Sequence, residues 1–207
     1  MPKSKAKLQQ ETRIQAQNRA IILDAALEVF SASGYRGTTV DQIAKKAGLS
    51  KPNLLYYFRR KEDIYVALLE MTLEDWLKPL RVLDVEGDPI TELTRYVTEK
   101  LDMSFANPQA SRLFANEILH GAPHVQKFLR GPLRLLVDEK TKVINEWIAR
   151  GKIRPVNPQH FIFAIWAFTQ HYADFSAQVA AVLGEEPKKA QVQKAVLDII
   201  LGGLKQM

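Results

Sequence analysis

No cysteine occurs among the 207 residues. That one absence removes disulfide frameworks, Cys-ligated zinc, iron–sulfur clusters and thiol nucleophiles together, and it fits a reducing, cytoplasmic setting. No run of about 18 uninterrupted apolar residues is present to span a bilayer. The longest apolar stretch, residues 161–168, leads into Gln170, His171 and Asp174. The first eight residues hold three lysines with no apolar segment after them, so no signal peptide and no membrane partner are expected. Glycine-rich phosphate loops, β-hairpin signals, internal repeats and low-complexity tracts are all missing. Of the four histidines, His120 and His124 have the spacing of a helical metal pair, but Gly121 and Pro123 between them forbid the regular helix it needs. His171 and Asp174 could orient one another, yet no nucleophile with an oxyanion site accompanies them. Glu117 reads as a pocket-rim or salt-bridge residue rather than a general base. The expectation is therefore no catalytic residue, no metal, no cofactor and no enzyme.

What is present is ordinary in amount and uneven in placement. The chain is 46% apolar and 25% charged, as in a globular protein with ample length for a core. Its net charge is +6. Residues 1–61 hold 12 Lys and Arg against 4 Asp and Glu, whereas residues 62–207 hold 17 against 19. A basic head on a near-neutral body suits a phosphate backbone, whose condensed counterions are released by lysine and arginine. Charge alone also fits a solvated basic face.

The periodicity predicts an all-α chain of about nine helices, with the first dozen residues disordered. Leu23, Ala26, Leu27 and Phe30 form a stripe on a helix from about Gln15 to Ser33, closed by Gly34. Further helices are expected from Lys61 to about Leu77, from Ile90 to Phe105, and from Pro108 to Leu119. Another reaches Arg150, with a disturbance at Gly131–Pro132. An apolar helix then runs from Pro158 to about Leu183, and a last one ends near Gly202. The domains are read as a basic tail at 1–14, a DNA-binding unit at 15–60 and a body at 61–207.

The segment TVDQIAKKAGLSKPNLLYYFRRK, residues 39–61, says the most. Val40, Ile43, Ala44 and Ala47 make one apolar stripe, Thr38 or Thr39 caps its start, and Gly48 ends it. Ser50 is a fresh N-cap, and Pro52 falls in the first turn of a second helix, where its missing N–H costs nothing. Two short helices joined by a turn of three or four residues have helix-turn-helix spacing, whose second helix enters the major groove. Lys51 and Asn53, in the first turn of that helix, are the candidate base readers, since Lys pairs with guanine and Asn with adenine. Thr39, Ser50, Tyr56, Tyr57 and Lys61 suit phosphate positioning. The plainer reading makes Thr39 and Ser50 caps and packs Tyr56 on the first helix.

At these residues the chain resembles the TetR family of bacterial transcription regulators. The match is carried by Gly34–Tyr35, Thr38–Thr39, Ile43–Ala44, Ala47–Gly48–Leu49–Ser50, Tyr56, Phe58 and Lys61–Glu62. Leu55 departs from it, standing where the family more often has a second tyrosine. The resemblance implies an all-α homodimer with a three-helix DNA-binding head and a helical body for ligand binding and dimerisation. Its partners would be a pseudo-palindromic operator in double-stranded DNA and a small-molecule effector, in the cytoplasm and on the nucleoid. Two recognition helices would then sit about 34–36 Å apart or a modest multiple of that. The segments NPQASRLFANEILHGAP (107–123) and NPQHFIFAIWAFTQHYADF (157–175) resemble the pyrimidine-utilisation regulators of the family, which implies a repressor answering to uracil or thymine.

A flat pyrimidine needs an apolar slot and groups that match its alternating N–H and C=O edge. Trp166 and Gln170 share a helical face with Ile162 and Ala173, and Asn116 offers a second amide. Trp76, Asn116, Trp166, Gln170 and His171 are the candidate effector residues. Core or dimer packing is the competing role for Trp166, Phe168, Tyr172 and Phe175. Dimerisation is read from Ile165, Phe168, Tyr172, Val196, Ile199 and Ile200 on the last two helices, and the helix from Lys61 to Leu77 is the expected lever. The alternatives are a regulator with a more apolar effector, and a helical enzyme or scaffold whose basic head serves solubility.

Overall fold

The computed structural model describes the backbone of residues 5–204 and the side chains of residues 13–204. Among the described residues every regular element is helical. The elements are α1 (Lys5–Gly37), α2 (Val40–Lys46), α3 (Lys51–Tyr57), α4 (Lys61–Arg81), α5 (Pro89–Ala106), α6 (Pro108–Leu119), the single turn α7 (Gln126–Phe128), a π-helical turn (Leu129–Leu133), α8 (Arg134–Ala149), α9 (Pro158–Asp174), α10 (Ser176–Leu183) and α11 (Lys189–Gly202). The chain divides into two compact units between Met71 and Thr72, inside α4. Of the basic tail read at 1–14, residues 1–4 lie outside the described residues and the remainder falls in α1.

In the first unit, α1 meets α2 and α2 meets α3. Ile22, Ala26, Phe30, Ile43, Leu54, Ile64 and Leu68 are almost wholly buried there. The expected end of α1 at Gly34 is visible as an interruption, with φ 68° and ψ 171°. That region of backbone space is open almost only to glycine. It lets Tyr35 turn back onto the core, where its ring lies 4.7 Å from Tyr65.

The second unit is organised around α5, which packs on α6, α9 and α11, while α8 also packs on α9. Asp88, Asn107 and Asn157 each accept from the amide three residues on, and each is followed by proline at the first helical position. This repeated Asx–Pro start fixes where α5, α6 and α9 begin. Leu93, Tyr96, Val97 and Leu101 of α5 are fully buried with Ile144, Trp147, Ile162, Ile165 and Val196. The Trp147 indole N–H is satisfied by the Val85 carbonyl at 3.1 Å.

Two expectations need correction. The helix expected from Pro158 to Leu183 is broken at Phe175. Arg112 of α6 donates to the Ala173 carbonyl and to Ser176 Oγ, and Ser111 donates to Asp174. The carbonyl and side chains at the break are thus satisfied from α6, so helical continuation is not needed there. The disturbance expected at Gly131–Pro132 is present as a π-helical turn, and the all-α class with about nine helices holds, the single turn α7 and the short helix α10 being additional. Among the six residues read as a dimer face, Ile165, Val196 and Ile200 are buried in the unit's own core because α5 covers them. Phe168 and Ile199 stay exposed.

Two substitutions check this description by urea unfolding. Gly34→Ala meets no atom within 4 Å, so its whole effect is backbone strain; it should cost about 1–3 kcal/mol. Trp147→Ala should cost about 3–5 kcal/mol. A loss below about 1 kcal/mol at either position contradicts the assigned role.

Candidate functional site

The first unit presents the recognition helix on two side-chain caps. Thr39 Oγ1 accepts from the Gln42 amide at 3.2 Å, and Gln42 Oε1 accepts from the Thr39 amide at 2.7 Å. This capping box sets α2. Ser50 Oγ accepts from the Asn53 amide at 3.3 Å and sets α3. Gly48, at φ 68°, makes the turn between them. Leu54 is the buried anchor of α3, while Lys51, Pro52, Asn53 and Tyr56 are exposed around it. Asn53 keeps its side-chain amide free of protein partners among the described residues. The Lys51 ammonium is 2.7 Å from Asp41. An exposed pair of this kind is worth about 0–1 kcal/mol, so a base edge or phosphate can compete for the lysine.

The aromatic pair at the end of α3 is tied to α1. Tyr57 OH accepts from Asn18 at 2.7 Å, and Arg19 donates to the Tyr57 carbonyl. Tyr56, 70% exposed, meets the Tyr57 ring edge-on at 5.1 Å, and its hydroxyl accepts from Gln15 at 3.3 Å. Arg19 also covers the Phe58 ring, 4.3 Å from its centroid. Lys61 is more constrained than its reading as a phosphate contact implies. Its ammonium donates to the Tyr35 carbonyl at 2.7 Å and the Thr38 carbonyl at 2.8 Å, beneath the Tyr35 ring. Of three donors, one is left for a phosphate.

The second unit holds a polar cluster inside its apolar core. Lys100 of α5 is 3% exposed, and its ammonium lies 4.8 Å from the centre of the Trp76 ring. Trp76 meets Phe114 of α6 edge-on at 5.4 Å. Asp174, at the end of α9, accepts from Ser111 of α6 at 2.5 Å. Burial pushes the Lys100 ammonium down to about 8, against which the nearby Asp174 charge works. Burial likewise raises Asp174 above the usual carboxylate range, opposed by Ser111, Lys100, Arg112 and His171. A lysine depressed this far destabilises the fold by on the order of 3 kcal/mol while it stays charged. The unfolded chain binds the extra proton, so that penalty is present below pH 8 and fades as pH rises towards 10.5.

One turn before Lys100 on α5, the buried Tyr96 hydroxyl accepts from the Trp166 indole at 2.7 Å. Burial raises that phenol well above its normal range. Gln170 is half-buried on α9, one turn from Trp166 and one turn from Asp174. Trp76, Trp166 and Gln170 are therefore placed around the α5–α6–α9 cluster. Asn116 is not, and His171 reaches the cluster only through its charge on Asp174. Asn116 is exposed on α6, and His171 is exposed and stacked on Phe175 at 5.1 Å. His171 instead lines an outer groove of about 450 Å³ with Tyr172, Val179, Val182, Leu183 and Val192.

Sequence reasoning passed over Lys100, Ser111 and Arg112. Lys100 had a signal: it occupies a stripe position among Leu93, Tyr96, Val97, Leu101 and Ser104, where a solvated lysine has no place. Ser111 and Arg112 had none, because their roles depend on the break in α9. Glu117 is the buried salt-bridge residue it was read to be, accepting from the His124 amide at 2.7 Å with the His124 ring 3.1 Å away.

Known proteins agree with this architecture. Residues 22–68 match the profile of bacterial regulatory proteins of the tetR family, and residues 69–206 match that of the YcdC-like protein C-terminal region. The chain is 45% identical over 198 residues to the HTH-type transcriptional regulator RutR of Escherichia coli, covering 94% of this chain and 93% of that one. It is 26% identical to the HTH-type transcriptional repressor NicS of Pseudomonas putida, over 89% of this chain and 91% of that one. Among solved structures, a regulatory protein of the tetR family from Rhodococcus RHA1 superposes with a TM-score of 0.75 at 19% identity, covering 92% of this chain and 98% of that chain. The fatty acid degradation regulator FadR from Bacillus halodurans gives 0.68 at 22% identity, covering 91% and 97%. Such identities speak for the fold alone. No helix among the described residues is long and apolar enough to cross a membrane. With its helix-turn-helix head, its helical body and full-length kinship to known regulators, the chain belongs to the TetR family and is a DNA-binding transcriptional regulator, not an enzyme.

Proposed function

We propose that the chain acts as a homodimeric repressor in the cytoplasm, on the nucleoid, and that uracil, thymine or a close pyrimidine relative bound in the body sets its operator affinity. The observation that carries the pyrimidine reading is that likeness to RutR runs through the body as well as the head. The two body segments that resemble pyrimidine-utilisation regulators lie on α6 and α9, the helices joined by Ser111 and Asp174. Trp76, Trp166 and Gln170 supply the apolar slot and the amide edge, with Asn116 and His171 as the remaining candidates read from the sequence. An apolar effector would offer the Lys100 ammonium no acceptor, and this counts against the second reading.

Phe163, Phe168, Phe175, Val182, Leu183 and Ile199 are large apolar side chains left exposed on α9, α10 and α11. A second copy of the chain would cover them, as symmetric association requires the same patch on both subunits. In the head, Lys51 and Asn53 read bases while Thr39, Ser50, Tyr56, Tyr57 and Lys61 position phosphates.

Three outcomes are expected. Electrophoretic mobility with a promoter fragment should show affinity falling steeply between two salt concentrations; salt-independent binding contradicts the DNA reading. Asn53→Ala should weaken specific binding by about 1–3 kcal/mol and relax base preference at one position of each half-site. In thermal-shift measurements, uracil or thymine at about 100 times its Kd should add about 2.7 kcal/mol of stability. No shift with either base at millimolar concentration removes the pyrimidine claim.

A further inference from the structure

Among the described residues two lysines are buried, Lys100 and Lys140, and the half-buried Lys61 makes a third for comparison. Lys140, 4% exposed, donates to the Leu83 carbonyl at 3.3 Å and sits 2.9 Å from Glu139. Lys61 is fixed by two carbonyls. Lys100 is as buried as Lys140, yet its ammonium makes no hydrogen bond and no ion pair among the described residues. Its ammonium lies over the Trp76 ring face, which attracts the charge without accepting three directional N–H bonds. Asp174, the opposite charge that acts on it, accepts from Ser111 at Oδ1. A charge held largely out of water without a protein acceptor is costly, and a ligand acceptor beside it offsets that cost.

We propose that Lys100 is the effector-selecting residue of the body: its ammonium donates a charge-assisted hydrogen bond to a ring carbonyl oxygen of the bound heterocycle, and the Asp174 carboxylate takes the N–H beside that oxygen. The proposal rests on the pyrimidine reading above and goes further by naming the chemistry of selection. A carbonyl flanked by an N–H, as in an imide or lactam, satisfies both charges at once. A thiocarbonyl at the same position satisfies Lys100 poorly, because sulfur is a weak acceptor. Selection in such a site comes from the penalty of leaving its buried polar groups unpaired. The pairing also explains how a fully buried charge is retained on the apolar stripe of α5, since the bound state gives it a partner.

The test is calorimetric titration of the full chain and of Lys100→Met with uracil, 2-thiouracil, 4-thiouracil and benzoate. Lys100→Met keeps the volume and removes a buried charge, so its thermal midpoint without ligand should equal or exceed that of the wild type. Lys100→Gln serves as a second variant should the first fail to fold. The wild type should bind uracil at least about tenfold more tightly than one of the two thio analogues, a difference of about 1.4 kcal/mol. The variant should lose at least about tenfold in uracil affinity and no longer separate oxygen from sulfur. Unchanged uracil affinity in the variant, or an undiminished preference for oxygen, overturns the assignment. If the wild type ignores uracil but binds benzoate, and the variant does not, Lys100 stands as the reader of acceptors and the pyrimidine reading falls. A wild type that binds none of the four ligands overturns the assignment.

Discussion

Everything in the second unit depends on how α5 is buried. It packs on α6, α9 and α11, and its stripe of Leu93, Tyr96, Val97 and Leu101 is fully enclosed. A helix hydrophobic along one face must bury that face, and burial here carries Lys100 inside with it. Polar groups on the neighbouring helices gather where that charge is. Trp76 faces it, Asp174 ends α9 close by, and Ser111 and Arg112 on α6 hold the end of α9 in place. The packing that makes the core also builds the site, and the break between α9 and α10 is its visible consequence.

The head obeys a different constraint. Its helices are only seven residues long in α2 and in α3, well below the length at which isolated helices persist in water. They are held instead by caps and by a small core. Thr39 and Ser50 serve as caps in the structure; the Ser50 hydroxyl can still donate to a phosphate oxygen, whereas the Thr39 hydroxyl donates to Gln42 Oε1 at 3.1 Å and would exchange that acceptor for a phosphate. Lys61 works similarly in both directions, since its carbonyl bonds fix the approach to α2 while one N–H stays free. Structural and DNA-facing roles are therefore compatible at these positions.

Much of this was legible in the sequence, for physical reasons that can be named. Gly34, Gly48 and the Asx–Pro starts announce backbone geometry that few other residues allow, so the helix boundaries of the head and of α5, α6 and α9 could be read directly. The break at Phe175 could not. It depends on Arg112 and Ser111, over 60 residues away in sequence, and local periodicity carries no trace of such partners. The apolar face of α9 shows the same limit. The reading placed Trp166 and Gln170 in line with Ile162 and Ala173, whereas the deepest line runs through Ile162, Ile165, Thr169 and Ala173. Trp166 and Gln170 flank that line, half-buried, which leaves them the polar partners that a wholly core position would deny. Lys100 was legible in principle, as a charge on an apolar stripe, and was overlooked because lysine is normally a surface residue.

Regulation requires that an effector bind two states of the protein unequally, because equal affinity shifts nothing. Lys100 and Asp174 give a physical source for that inequality: any arrangement of α5 and α9 that separates them forfeits the ligand's carbonyl and N–H together. The account is tested most directly by fluorescence anisotropy of a labelled DNA fragment from the promoter region, titrated with the full chain in the presence and absence of saturating uracil. It predicts at least about a tenfold change in the dissociation constant, corresponding to about 1.4 kcal/mol of coupling. Identical affinity with and without uracil, in a protein that demonstrably binds both ligands, would contradict it.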